Sequence, residues 1–183
     1  LRWVTMGYQY DWTLRSYPIR VEGNANMASF PKGLGELCTS IAADCGYSDP
    51  AFVPEAGIIN FYQQGAVMGA HQDEVELTHT PPVVSISIGP PCVFLVGGMT
   101  KADVPVALLL RTGDCVIMGG PSRLRFPAIP RVFTELGLPH ELCELRELPG
   151  PSSSHESENN RRVLNFLGTT RININVRQVY DDV

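Results

Sequence analysis

Gly57-Ile58-Ile59-Asn60-Phe61-Tyr62-Gln63-Gln64-Gly65-Ala66-Val67-Met68-Gly69-Ala70-His71-Gln72-Asp73 is the stretch where the hydrophobic period becomes two. Residues 57–62 read as a strand, Gln63-Gln64-Gly65 as a turn, and Val67 to Asp73 as a second strand. On an extended backbone, side chains two apart leave one face. Asn60 therefore pairs with Tyr62, and His71 with Asp73. An imidazole and a carboxylate aimed one way, joined by a second imidazole, form the facial triad of non-haem Fe(II) oxygenases. Taken alone, His71 and Asp73 also fit a core histidine bonded to its neighbour, and Asn60 and Tyr62 a satisfied amide and a half-buried ring.

The same short period runs on through Val83-Val84-Ser85-Ile86-Ser87-Ile88, where Val84, Ile86 and Ile88 share a face. Cys92 to Val96 follows as a strand, Gly97-Gly98 as a break and Val106 to Leu110 as a strand. Thr112-Gly113-Asp114 reads as a hairpin turn into Cys115-Val116-Ile117-Met118. The last strand, Arg171-Ile172-Asn173-Ile174-Asn175-Val176-Arg177, separates an apolar face from one bearing two arginines and two amides. Short strands at even spacing predict a sandwich or barrel. Before them, Pro31-Lys32-Gly33 opens a helix with apolar positions Leu34, Leu37, Cys38, Ile41, Ala42 and Cys45, stopped by Gly46. Residues 134–160 read as a loop insertion, least structured over 148–154, with a short helix from about Glu158 to Leu167.

At 183 residues, the chain suits one domain that buries roughly 70% of its unfolded surface. It is 44% hydrophobic and 18% charged, an ordinary globular composition. No apolar run reaches the eighteen or so residues of a membrane span. The five cysteines include no C-x-x-C pair. Cys38 and Cys45 stand about 10 Å apart along a helix, too far to bridge, so reduced thiols in an intracellular compartment are expected. A net charge of -5 confines any basic surface for nucleic acid to local patches. The opening Leu1-Arg2-Trp3-Val4 lacks an initiator methionine and reads as an N-terminally truncated piece. Trp3, Tyr8, Tyr10 and Trp12 fit packing over a core or, alternatively, a platform on which bases stack.

Asn60-x-Tyr62, His71-Gln72-Asp73, Gly119-Gly120-Pro121-Ser122-Arg123-Leu124 and Arg171-x-Asn173-x-x-x-Arg177-Gln178 occur in this order and spacing. Together they resemble the AlkB family of Fe(II)- and 2-oxoglutarate-dependent dioxygenases, most of all its eukaryotic AlkB homologue 1 branch. The resemblance extends from Arg2-Trp3-Val4-Thr5 to Arg177-Gln178-Val179. It implies a mainly β fold with flanking helices, a double-stranded β-helix or jelly-roll core over 56–133 and 171–179, with residues 1–30 part of a substrate lid. It implies iron and 2-oxoglutarate as cofactors, with oxygen as co-substrate. The implied activity is removal or hydroxylation of methyl groups on bases of DNA or tRNA, in the nucleus or mitochondrion. His71 and Asp73 would be iron ligands. Asn60, Tyr62, Arg171, Asn173 and Arg177 would hold 2-oxoglutarate, and Tyr8 and Tyr10 the base. One position departs from the pattern. Where the family has its third iron ligand, a histidine, this chain has Pro127, which has no side-chain donor atom. The alternative reading is a catalytically impaired relative acting as a binding or scaffold protein.

Overall fold

The structure is a computed structural model that describes residues 2–17, 30–137, 139–143 and 154–181. Period-two segments supply two facing sheets. The larger joins β1 (Trp3–Gly7), β2 (Ala56–Tyr62), β8 (Arg171–Arg177), β3 (Val83–Ile88) and β6 (Cys115–Met118) in the order β1-β2-β8-β3-β6. The smaller joins β5 (Val106–Leu110), β4 (Cys92–Val96) and β7 (Pro127–Val132) in the order β5-β4-β7. All pairings are antiparallel. This is the expected jelly roll.

Register assigns each residue of the larger sheet to a face. Tyr62 lies opposite Arg171, Asn60 opposite Asn173, and Ala56 opposite Arg177. On the other side of β8, Ser87 faces Asn173 and Ser85 faces Asn175. This face turns inward. Tyr62, Val83 and Met118 pack there against Cys92, Phe94, Leu110, Ile129 and Val132 of the smaller sheet and its flanks. The outward face carries Val84, Ile86 and Val176, which are covered by Cys38 and Ala42 of helix α1 (Lys32–Asp44) and by Phe52. Leu34 and Ile41 complete the helix contact, whereas Leu37 and Cys45 are exposed, so the buried stripe is narrower than expected. Gly46 ends the helix at φ +93°.

Several expectations change. Thr112-Gly113-Asp114 is not a hairpin turn: β5 pairs with β4, and β6 with β3. The turn carries the chain from one sheet to the other, tied to β3 by Gly113 N–H to Ser87 O (2.8 Å) and Ser87 N–H to Asp114 O (3.0 Å). Residues 67–73 form no full strand. Met68 and Ile129 exchange both backbone hydrogen bonds, after which the pairing slips one residue so that His71 N–H reaches Pro127 O at 3.4 Å. β7 had no strand signature because Pro127 and Pro130 remove two amide donors; at the edge of the smaller sheet both are tolerated. Within the expected 134–160 insertion lie α2 (His140–Cys143) and the start of α3 (Ser154–Thr169), longer at both ends than the expected helix. Phe166 of α3 packs edge-on against Phe61, with ring centroids 6.1 Å apart. Part of the expected lid (18–29) and most of the 148–154 segment lie outside the described residues. Among the described residues, no helix is long and apolar enough to cross a membrane.

β1 ends at Gly7, which adopts φ +68°. A β-carbon there would stand 2.0 Å from the carbonyl oxygen of Glu55. That approach lets Tyr8 N–H donate to Glu55 O at 2.9 Å and swings the aromatic segment over the sheet. Gly7→Ala is therefore expected to lower unfolding free energy by at least about 2 kcal/mol, combining left-handed backbone strain with a backbone clash. Urea denaturation checks this, and a change below about 0.5 kcal/mol contradicts it.

Candidate active site

The inward polar face of β8 positions its two arginines at opposite ends, about 20 Å apart along the strand, in contrasting surroundings. Arg177 is surrounded by carboxylates. Its Nη2 donates to Asp73 Oδ1 and its Nη1 to Glu76 Oε1, each at 2.9 Å. Glu76, fully buried, also accepts from Arg123 Nη2 at 3.1 Å. Burial alone would lower the Arg177 pKa, but Asp73 and Glu76 outweigh it and hold the group firmly charged. Two guanidiniums and two carboxylates thus cancel.

Arg171 has no such partner. It is completely buried, and among the described residues it meets only neutral oxygens, Ser87 Oγ at 2.8 Å and Pro90 O at 3.5 Å. Its Nε makes no hydrogen bond. Burial depresses its pKa, with Cys92 and Tyr62 close enough to influence it. Isolated cations are rarely left this way, since the desolvation penalty amounts to several kcal/mol. Tyr62 is pushed up to about 12, chiefly by burial, with Arg171 pulling the other way. It is therefore a neutral donor at physiological pH. Its hydroxyl donates to Met68 Sδ at 3.2 Å, a weak acceptor that an incoming carboxylate oxygen would outcompete.

His71 Nδ1 lies 3.0 Å from Gly69 O, which selects the tautomer with the proton on Nδ1 and the lone pair on Nε2. That Nε2 lies 3.8 Å from Asp73 Oδ1. The arm bearing both residues is pinned by Gln72 Nε2 to Leu124 O (2.6 Å) and by Arg123 Nη1 to the Asp73 carbonyl.

A pocket of about 300 Å³ opens next to this face, lined by Trp3, Tyr8, Tyr10, Trp12, Tyr17 and Asn60 among others. Tyr8 packs edge-on against Tyr180 at 5.0 Å, and Tyr10 against Trp12 at 4.9 Å and Tyr17 at 5.5 Å. Burial raises the Tyr17 pKa to about 12, with the Arg177 guanidinium beside its ring opposing the shift. Asn60 also borders a second cleft with Arg2, Gln63 and Gln64.

A profile described as "2OG-Fe(II) oxygenase superfamily" matches residues 1–177. The chain belongs to this superfamily. It is 39% identical over 188 residues to the human protein named "Nucleic acid dioxygenase ALKBH1", covering 98% of this chain and 46% of that protein. It is 35% identical over 179 residues to the "tRNA demethylase abh1" of Schizosaccharomyces pombe, covering 98% and 53%. The chain thus spans about half the length of the curated relatives it matches. A solved structure titled "The structure of OsALKBH1" superposes with a TM-score of 0.66 at 22% identity, covering 96% of this chain and 77% of that one, which supports the fold.

The superfamily name specifies iron and 2-oxoglutarate, and the two groups fit this chain unequally. For 2-oxoglutarate the fit is good: a buried cation without an anion, a neutral phenol beside it and a serine at hydrogen-bonding distance. For iron the donor set is one short. Pro127 lies beside His71 and contributes no donor atom, and among the described residues no three of His, Cys, Asp and Glu gather as a metal site. His79 and His140 are exposed.

The remaining site residues divide. Arg177, named with Arg171 for the co-substrate, has its charge balanced by Asp73 and Glu76, although its Nε, like that of Arg171, makes no hydrogen bond among the described residues. Asn173 donates to Ser85 Oγ at 2.8 Å and Ile86 O at 3.2 Å, which ties β8 to β3. Asn60 and Tyr62 share the inward face with Arg171, and Tyr8 and Tyr10 share the aromatic pocket. Sequence reasoning missed Glu76 and gave Arg123 no role, although the Ser122-Arg123-Leu124 motif had singled it out. Ser87, opposite Asn173 in a visibly alternating strand, was legible as a polar inward residue. Glu76→Gln is expected to cost about 3–5 kcal/mol by leaving two buried guanidiniums short of a carboxylate. Chemical denaturation measures this, and a change under about 0.5 kcal/mol contradicts the charge cluster as described.

Proposed function

We propose that this chain is the catalytic part of an Fe(II)- and 2-oxoglutarate-dependent dioxygenase that oxidises methyl groups on bases of DNA or tRNA. The observation that carries the reading is Arg171, a fully buried guanidinium on the barrel's inner face with no carboxylate in salt-bridge contact among the described residues. A small dicarboxylate supplies the missing charge. Its far carboxylate pairs with Arg171, with Tyr62 and Ser87 as neutral partners, and a bidentate grip suits the planar fork. When bound, iron and 2-oxoglutarate supply the oxidising chemistry with oxygen, while the protein positions the reactants and excludes side reactions.

The adjoining pocket supports the substrate class. About 300 Å³ between aromatic rings suits one extruded base. Trp3 and Trp12, 47% and 70% exposed, give it an open aromatic rim on which a flanking base can stack. Asn60 belongs to both this pocket and the polar inner face, so a base held there lies next to the co-substrate. The names of the human and fission-yeast relatives, a nucleic acid dioxygenase and a tRNA demethylase, agree with this class. The rival reading as a binding or scaffold protein draws on Pro127 alone.

The test is conversion of 2-oxoglutarate to succinate with a methylated oligonucleotide and excess Fe(II), in this chain and in Pro127→His. Fe(II)-dependent turnover is expected in both, at least tenfold faster in Pro127→His at limiting iron. Turnover confined to Pro127→His would assign the chain to the impaired class, and absence of turnover from both contradicts the proposed activity.

A further inference from the structure

Met68 stands apart from the other described methionines in what its sulfur touches. Met118 is sealed in the barrel core, and Met99, 58% exposed, borders a surface cleft with Val104 and Arg125. Met68 is half-buried between those extremes. It packs against the core cluster that contains Tyr62, and it also lines an open cleft of about 530 Å³ with Arg2, Gln63 and Gln64. A small oxidant can reach the side chain from that cleft. On its inner side the Sδ accepts a hydrogen bond from the Tyr62 hydroxyl at 3.2 Å. Its backbone is fixed by two hydrogen bonds exchanged with Ile129, at 2.8 and 2.9 Å, so the side chain stays beside Tyr62 whatever its oxidation state.

A thioether is a weak acceptor, which leaves the Tyr62 O–H free to turn to a carboxylate held by Arg171. Oxidation changes that balance, because it converts the apolar sulfur into a polar sulfoxide whose oxygen is a strong acceptor. Resting on the reading of Arg171 and Tyr62 as the co-substrate pocket, we propose that Met68 is a site of reversible oxidation by hydrogen peroxide, and that its sulfoxide captures Tyr62 and weakens 2-oxoglutarate binding. In the step itself the sulfur gives a lone pair to one peroxide oxygen and the O–O bond breaks. The second oxygen takes the proton of the first and leaves as water. Sulfur loses two electrons and the peroxide gains the same two.

The whole chain, Met68→Leu and Met99→Leu are each measured before and after hydrogen peroxide, with dithiothreitol added afterwards to return reversibly oxidised thiols. Peptide mass spectrometry reads oxygen addition at each methionine, and calorimetry reads 2-oxoglutarate affinity. Each protein is compared with its own untreated sample, so the direct effect of a substitution cancels. In the parent and in Met99→Leu, oxygen addition at Met68 should accompany at least a tenfold loss of affinity, reversed by methionine sulfoxide reductases A and B. In Met68→Leu the affinity should stay within twofold. The proposal is overturned if Met68 stays unoxidised while Met99 is fully converted, or if oxidation of Met68 leaves the parent's affinity within twofold. It is equally overturned if Met68→Leu loses as much affinity as the parent. An untreated parent that binds no 2-oxoglutarate defeats the reading of Arg171 itself, and this proposal with it.

Discussion

Two arginines on one face of β8 face opposite electrostatic problems, and the site follows from how each is solved. Arg177 is neutralised within the protein by Asp73 and Glu76, with Arg123 completing a group of four. Among the described residues Arg171 has only Ser87 Oγ and the Pro90 carbonyl. Coulomb attraction in a low-dielectric interior is strong enough that these situations cannot be exchanged: Arg177 has no spare charge for a ligand, and Arg171 has nothing else to offer one. The barrel sustains this asymmetry because the two sheets bury the Arg171 end, while the covalent arm from His71 to Glu76 brings carboxylates to the Arg177 end.

The same charge group gives the arm from Gly69 to Asp73 its rigidity. Residues 69–73 have one backbone bridge, Met68 with Ile129, and otherwise depend on side chains for their shape. Arg123 grips the Asp73 carbonyl and Glu76, Gln72 grips Leu124, and Arg177 grips the Asp73 carboxylate. In this chain the Ser122-Arg123-Leu124 segment therefore buttresses the loop that carries His71 and Asp73. Pro127 offers no side-chain donor atom, yet the frame beside it is held by these other contacts and keeps its shape.

Strict alternation made β3 and β8 readable, because each buries one face under α1 and the other in the barrel, and the resulting pattern is visible in Val84-Ser85-Ile86-Ser87 and Ile172-Asn173-Ile174. β7 was hidden: Pro127 and Pro130 mimic a breaker, and only its place at a sheet edge makes them tolerable. The Thr112-Gly113-Asp114 turn has hairpin chemistry, yet Gly113 and Asp114 bond to Ser87, so tertiary contacts send the next strand to the other sheet. His71, Asp73, Asn60 and Tyr62 could be grouped from spacing because two residues apart on a strand is a geometric statement. The division of labour between Arg171 and Arg177 could not, since both are inward arginines on one strand and the positions of Asp73 and Glu76, about a hundred residues away, tell them apart. The aromatics Trp3, Tyr8, Tyr10 and Trp12 were legible as a cluster, but Tyr17, which packs on Tyr10 and also reaches Arg177, was not.

The central claim is that the Arg171 charge is kept for a ligand and not for the fold. Replacing it by methionine, Arg171→Met, and measuring both urea stability and 2-oxoglutarate affinity by calorimetry tests this directly. The account predicts unchanged or increased stability, by up to about 4 kcal/mol, because a buried unpaired cation gives way to an apolar chain of similar length. Affinity for 2-oxoglutarate should fall at least a hundredfold. A variant destabilised by several kcal/mol that still binds 2-oxoglutarate as the parent does would contradict it.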